Sequence, residues 1–145
     1  MPNRFSRHLP WALLVALPLA TACARDSVPS LSAPEALERA RAGNLTIVDI
    51  RRPEEWRQTG VAEGAARIDM RHPAFADTVL ARVGGDRNAP IALICRTGNR
   101  TSQMQAVLKN QGFTNVYHIG EGMAGSGAGP GWVRRGLPVE PCARC

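Results

Sequence analysis

Three short runs break an otherwise mixed chain, at residues 45–50 (LTIVDI), 91–95 (IALIC) and 115–119 (NVYHI). Their length and their β-branched side chains predict buried strands, and residues 66–69 add a shorter one. Between them the pattern changes to helical signals. Ser32-Ala33-Pro34-Glu35 has capping-box spacing, with Ser32 as N-cap and Glu35 reaching back to it. A helix is expected from there to Arg41, closed by Gly43. Pro53-Glu54-Glu55 opens a second helix, because proline and acids suit a first turn. A third is predicted over 73–83, stopped by Gly84-Gly85. A fourth covers 101–111, with Met104, Val107 and Leu108 on one face and Gly112 at its end. Strands and helices alternate, which predicts an α/β fold: a central, mainly parallel sheet flanked by helices on both faces. Sites in such sheets lie beyond the carboxyl ends of strands. Cys95 falls at such an end.

The first residues follow a different logic. Arg4, Arg7 and His8 make a positive start, residues 9–20 (LPWALLVALPLA) an apolar run, and Ala20-Thr21-Ala22 a small-residue exit. That order is the signature of a secretory signal peptide. A membrane span is the competing reading, but it wants about 20 apolar residues, and this run is shorter and carries Pro10 and Pro18. Residues 1–22 are therefore expected to be a signal peptide and the protein to be exported, to the periplasm or cell envelope. Small residues before Cys23 resemble a bacterial lipoprotein box, in which Cys23 becomes the acylated, membrane-anchoring N-terminus. The alternative is ordinary cleavage nearby, leaving Cys23 free or discarded. Residues 23–33 read as a tether, 34–140 as one domain and 141–145 as a tail.

Charge changes little once the leader is set aside. The net charge of the 145-residue chain is +6, and removing residues 1–22 takes away Arg4 and Arg7 and lowers it to +4. The basic residues are dispersed and almost no aromatics lie among them, so nucleic acid is not an expected partner. Cysteines at 23, 95, 142 and 145 are too few and too scattered for a disulfide scaffold. No two CxxC knuckles pair, so neither a metal nor a cofactor is expected, and the chain is expected to act as a monomer.

Candidate chemistry concentrates in Cys95-Arg96-Thr97-Gly98-Asn99-Arg100-Thr101, which links a buried strand to a helix N-terminus. Backbone N–H groups in such a loop can turn inward as an anion-binding nest, and the helix end adds unpaired donors. Gly98 supplies backbone conformations closed to other residues, and Asn99 tolerates left-handed geometry. With Arg96 and Arg100 beside it, Cys95 is expected to ionise readily and to serve as a nucleophile inside an anion cradle. A buried core cysteine is the plain alternative. An arginine-flanked, glycine-bearing turn is costly packing for an inert thiol.

From about Pro34 to Glu140 the chain resembles a single rhodanese domain, of the sulfurtransferase family. "VDIRRPEEW" (48–56) resembles that family's first signature, in which Asp49 and Arg51 would brace the fold near the active loop. "GVAEGA" (60–65) matches its Gly-x-x-x-Gly-Ala element, "LICRTGNRT" (93–101) its C-x-x-G-x-R-[S/T] loop, and "GLPVE" (136–140) its closing phrase. The resemblance implies a Cys95 persulfide held by loop amides from Arg96 to Arg100, charged by a small sulfur-containing anion such as thiosulfate and discharged to cyanide or a thiol. It also implies that the loop's final arginine, Arg100, turns inward, leaving Arg96 to contact the donor. Two departures stand out. Val61-Ala62 replaces a usual His-Ile, and the glycine-rich stretch 120–131 lengthens the connection to Trp132. That stretch is expected either to gate the site or dock a partner as a mobile loop, or to be a surface excursion.

Two rival readings remain. Cysteine-dependent phosphatases and arsenate reductases use a similar cradle, but their loops place five residues between Cys and Arg, where this one places four. The other rival is a sulfane-sulfur carrier or thiol-redox module. Cys142 and Cys145 keep it open, as a redox pair, as a local disulfide in an oxidising compartment, or as partial metal ligands. Two thiols without a nearby histidine make a poor zinc site, so no metal is assigned to them.

Overall fold

The computed structural model describes residues 28–145. The leader and Cys23 lie outside the described residues. Five strands form one parallel sheet: β1 (Ser30–Leu31), β2 (Thr46–Asp49), β4 (Ala66–Arg67), β5 (Ile91–Ile94) and β6 (Val116–Ile119), in the order β1-β6-β5-β2-β4. A separate antiparallel pair joins β3 (Val61–Ala62) to β7 (Val139–Glu140). The helices are α1 (Ala33–Arg41), α2 (Pro53–Thr59), α3 (Phe75–Arg82) and α4 (Asn99–Asn110).

Alternation along the central strands feeds two cores. Ile47 of β2 and Ala92 and Ile94 of β5 pack with Ala36 and Leu37 of α1, Met123 and Trp132. Val48, Ile91 and Leu93 point the other way, onto Val79 of α3 and Met104 and Leu108 of α4. Helices therefore cover both faces, as a parallel sheet requires.

Several local expectations are corrected. Residues 30–33, read as tether, belong to the fold: Ser30 and Leu31 pair with His118 and Ile119 of β6, and Ala33 opens α1. The capping box at α1 is half made. Ser32 Oγ accepts from the Glu35 amide at 3.4 Å, but the Glu35 carboxylate turns to Arg39, at 2.6 Å. The inner face of α4 is not Met104-Val107-Leu108, because Val107 is 42% exposed. Thr101, Met104, Gln105 and Leu108 line it instead, at the i, i+3, i+4, i+7 spacing of a helix. Two polar residues can sit there because backbone carbonyls receive them: Gln105 Nε2 donates to Pro29 O and Val116 O, and Thr101 Oγ1 to Gly98 O.

Candidate active site

Cys95 follows the last residue of β5, at the carboxyl edge of the sheet. Its neighbour Ile94 is fixed in place by pairing with Asp49 and by the Ile50 amide, which donates to Ile94 O at 3.0 Å. The cysteine side chain is wholly buried. The Gly98 amide donates to Cys95 Sγ at 3.1 Å. The wider gathering expected of the amides from Arg96 to Arg100 is not present around the bare sulfur. Among the described residues, Gly98 is the one whose N–H bonds to it.

Gly98 is required twice over. Its φ of +88° lies in the left-handed region, where a side chain is strained. A Cβ there would also stand 2.1 Å from Gly120 O. The glycine-rich stretch explains that crowding, because it runs against the cysteine loop. Met123 N donates to Cys95 O and Ala124 N to Arg96 O, each at 2.9 Å, and a Cβ on Gly122 would meet Arg96 O at 2.5 Å. Its return is stitched as well, with Trp132 N on Gly122 O and Val133 N on Met123 O. Buried Glu121 completes the fastening, accepting from the amides of Ala33 and Gly131 and from Arg135 Nε. Burial pushes the Glu121 carboxyl up, yet Arg135 and the two amides outweigh it and hold it below the usual range. Residues 120–125 are thus a bonded cover over the loop. At the exposed tip, a Cβ on Gly127 would meet nothing within 4 Å.

The two loop arginines are placed differently. Arg100 grips Glu55 of α2 with both Nη atoms, at 2.7 and 2.6 Å. The Arg100 guanidinium holds the Glu55 carboxyl down at about 2, and Glu55, with a smaller contribution from Cys95, raises Arg100 in turn. Arg96 is exposed and its side chain makes no hydrogen bond among the described residues. It lines a cavity of about 360 Å³ together with Gln58, Thr59, Met123, Val133 and Arg134. Thr97 is half-buried and Asn99 exposed.

Below the loop lies a buried ion pair. Arg51 meets Asp49 through Nε and Nη2, the latter at 2.7 Å, and also reaches Gly60 O and Thr59 Oγ1, each at 2.7 Å. Both side chains are nearly inaccessible, 2% and 0% exposed. Three acceptors besides Asp49 answer the Arg51 fork, Glu55 O, Thr59 Oγ1 and Gly60 O, as a buried guanidinium needs. Behind the loop, Thr101 Oγ1 lies 3.3 Å from His118 Nδ1. Since the threonine hydroxyl is already donated to Gly98 O, the imidazole nitrogen is the donor here. Burial lowers the His118 pKa, which favours its neutral form.

Cys142 and Cys145 are joined by a disulfide at the far side of α2, where Cys142 packs on Trp56 and Val61. Sequence reasoning missed Glu55, His118 and Glu121 as partners of the loop and its cover. Glu55 and Glu121 were visible only as acids within or beside the quoted motifs.

A cysteine at the carboxyl edge of a parallel sheet, opening through a tight glycine turn into a helix, defines an α/β domain with a cysteine loop. A rhodanese-like domain matches residues 32–126, and the chain belongs to that family. An uncharacterised protein of Rickettsia rickettsii is 30% identical over 103 residues, covering 67% of this chain and 84% of the relative. The thiosulfate sulfurtransferase GlpE of Pseudomonas aeruginosa is 32% identical over 90 residues, covering 62% of this chain and 76% of GlpE. Among solved structures, the polysulfide-sulfur transferase homodimer of Wolinella succinogenes superposes with a TM-score of 0.61 at 24% identity, over 81% of each chain. A thiosulfate sulfurtransferase of Pseudomonas aeruginosa gives a TM-score of 0.62 at 23% identity over 78% of this chain, which spans only 20% of that one. These superpositions describe a shared fold.

Proposed function

We propose that the protein is a sulfurtransferase that moves sulfane sulfur from a small anionic donor such as thiosulfate to a thiophilic acceptor through Cys95. The observation that carries this reading is the Gly98 amide aimed at Cys95 Sγ, in the loop of a rhodanese-like domain. The nucleophile in such chemistry is the thiolate, and an amide N–H directed at the sulfur is a donor that an anionic sulfur accepts. The thiolate attacks the outer sulfur of thiosulfate. The donor S–S bond breaks, sulfite departs with the electron pair, and Cys95 carries a persulfide. Cyanide or a thiolate then attacks the terminal sulfur and Cys95 leaves as thiolate, ready for another round. Because Cys95 has no exposed surface, the donor reaches it only when the side chains above the loop move aside. Arg96, unpaired at the cavity, is the cation that draws in the donor.

Thiosulfate:cyanide turnover by the full chain and by its Cys95→Ser variant tests the reading. Turnover and cyanide-releasable sulfur are expected in the first and absent in the second. Retained sulfur in the variant removes Cys95 from the mechanism.

We further propose that the protein is exported to the cell envelope by residues 1–22. A disulfide between Cys142 and Cys145 suits an oxidising compartment and supports this. Mass spectrometry of the mature N-terminus decides between an acylated Cys23, ordinary cleavage and an uncut leader.

A further inference from the structure

We propose that Cys142 and Cys145 form a second reactive site, a thiol–disulfide exchange centre served by Arg67 and independent of sulfur transfer at Cys95. Arg67 Nη1 lies 2.6 Å from Cys142 Sγ and 3.1 Å from Cys145 Sγ. Arg67 has no carboxylate partner among the described residues. A disulfide is neutral and a weak acceptor, and it has no use for a cation. The thiolate released when the bond opens does, because a guanidinium favours ionised sulfur over the neutral thiol.

The bridge is also poorly suited to be a staple. It spans a separation of only three residues, and so short a loop restrains little of the unfolded chain. What holds the tail is other bonding. Val139–Glu140 pairs with Val61–Ala62, the Gly64 amide donates to Glu140 Oε1 at 2.7 Å, and Arg57 donates to the Cys145 carbonyl. The two sulfurs are therefore held in position whether or not they are bonded. A depression lined by Arg67, Pro141, Cys142, Ala143 and Arg144 opens beside them. It carries two cations and no acid, which suits the approach of an anionic thiol.

The co-reactant is by class a small thiol. Its thiolate attacks Sγ of Cys145, the less buried of the two. The bond between the two cysteines breaks and its electron pair stays on Cys142, under Arg67. A second thiolate attacks the co-reactant's sulfur in the mixed disulfide, which releases Cys145 and leaves the co-reactant as its own disulfide. Two electrons enter the pair, and protons follow to whichever sulfur does not remain a thiolate. In reverse, Cys145 attacks a target disulfide and Cys142 resolves it.

The test uses the full chain carrying Cys23→Ser and Cys95→Ser, so that this pair is the sole source of thiols. The protein is equilibrated in buffers of reduced and oxidised glutathione, trapped with a maleimide and weighed by mass spectrometry. The pair is expected to open while the chain stays folded. In Arg67→Gln the midpoint is expected to move about tenfold toward the disulfide, the effect of losing one charge-assisted hydrogen bond to the thiolate. Arg67→Lys, which keeps the cation, is expected to hold the parent midpoint. A pair that stays closed in excess reduced glutathione until the chain unfolds overturns the proposal, as does an unchanged midpoint in Arg67→Gln. Absence of sulfur transfer at Cys95 would leave both results as they stand.

Discussion

Arg100 and Glu55 face each other as a two-pronged ion pair, 2.7 and 2.6 Å long, that ties the first turn of α4 to α2. Their side chains are 28% and 20% exposed, so the pair is shielded but not sealed. Glu55→Gln is expected to lower stability by about 1–2 kcal/mol, in the range for bonds to charged groups in partly shielded sites. Urea denaturation at neutral pH measures it.

The same pair sets an acid limit. The Glu55 carboxyl titrates at about 2 when folded, below its ordinary 4.5, so unfolding takes up a proton in between. Its contribution is complete above the ordinary value and disappears as the pH falls through about 2. Urea midpoints between pH 6 and pH 2 are expected to fall less steeply in Glu55→Gln than in the parent protein. Parallel curves would show that the pair contributes nothing.

Gly98→Ala is expected to be among the most damaging of small substitutions. It combines left-handed backbone strain with a 2.1 Å approach to Gly120 O, for a cost of roughly 3 kcal/mol or more. Gly127→Ala, with nothing within 4 Å, is expected to change the melting temperature hardly at all. Thermal unfolding of the two variants side by side checks the contrast.

Asp49→Asn leaves the Arg51 guanidinium buried without its counter-charge. Breaking a buried pair in this way costs on the order of 3–5 kcal/mol. A shift in the urea midpoint of that size is expected, with the tryptophan fluorescence change of unfolding as the readout.

Arg96→Ala is expected to raise KM for thiosulfate about tenfold, the equivalent of one charge-assisted contact. Because the Arg96 side chain makes no bond within the described fold, the melting temperature is expected to stay within a degree or two. Steady-state kinetics against donor concentration, with a melting curve, separates donor recognition from a structural role.

The strands β2, β5 and β6 were legible because each is dominated by apolar and β-branched residues. The two-residue strands β1, β3 and β7 were not, since two residues hold no period. The face of α4 was misassigned at Val107 for a physical reason: Thr101 and Gln105 take buried places by donating to carbonyls that only the folded chain supplies. The Cys95 loop was legible as a strand-to-helix turn. Its union with Glu55 was not, because those residues lie 45 positions apart. The glycines of 120–131 were conspicuous, but their cause is the close passage of one backbone beside another, which no local pattern records.

That close passage divides the cover into two kinds of chain. Residues 120–125 and 131–133 are clasped by hydrogen bonds to the loop or to each other, while Ser126 and Gly129 close a small bridge of their own around an exposed tip. Added length at Gly127 would therefore hang outside the clasp, so that tip is the natural graft point for a peptide or dye intended to report on the sulfur loop without altering its shape.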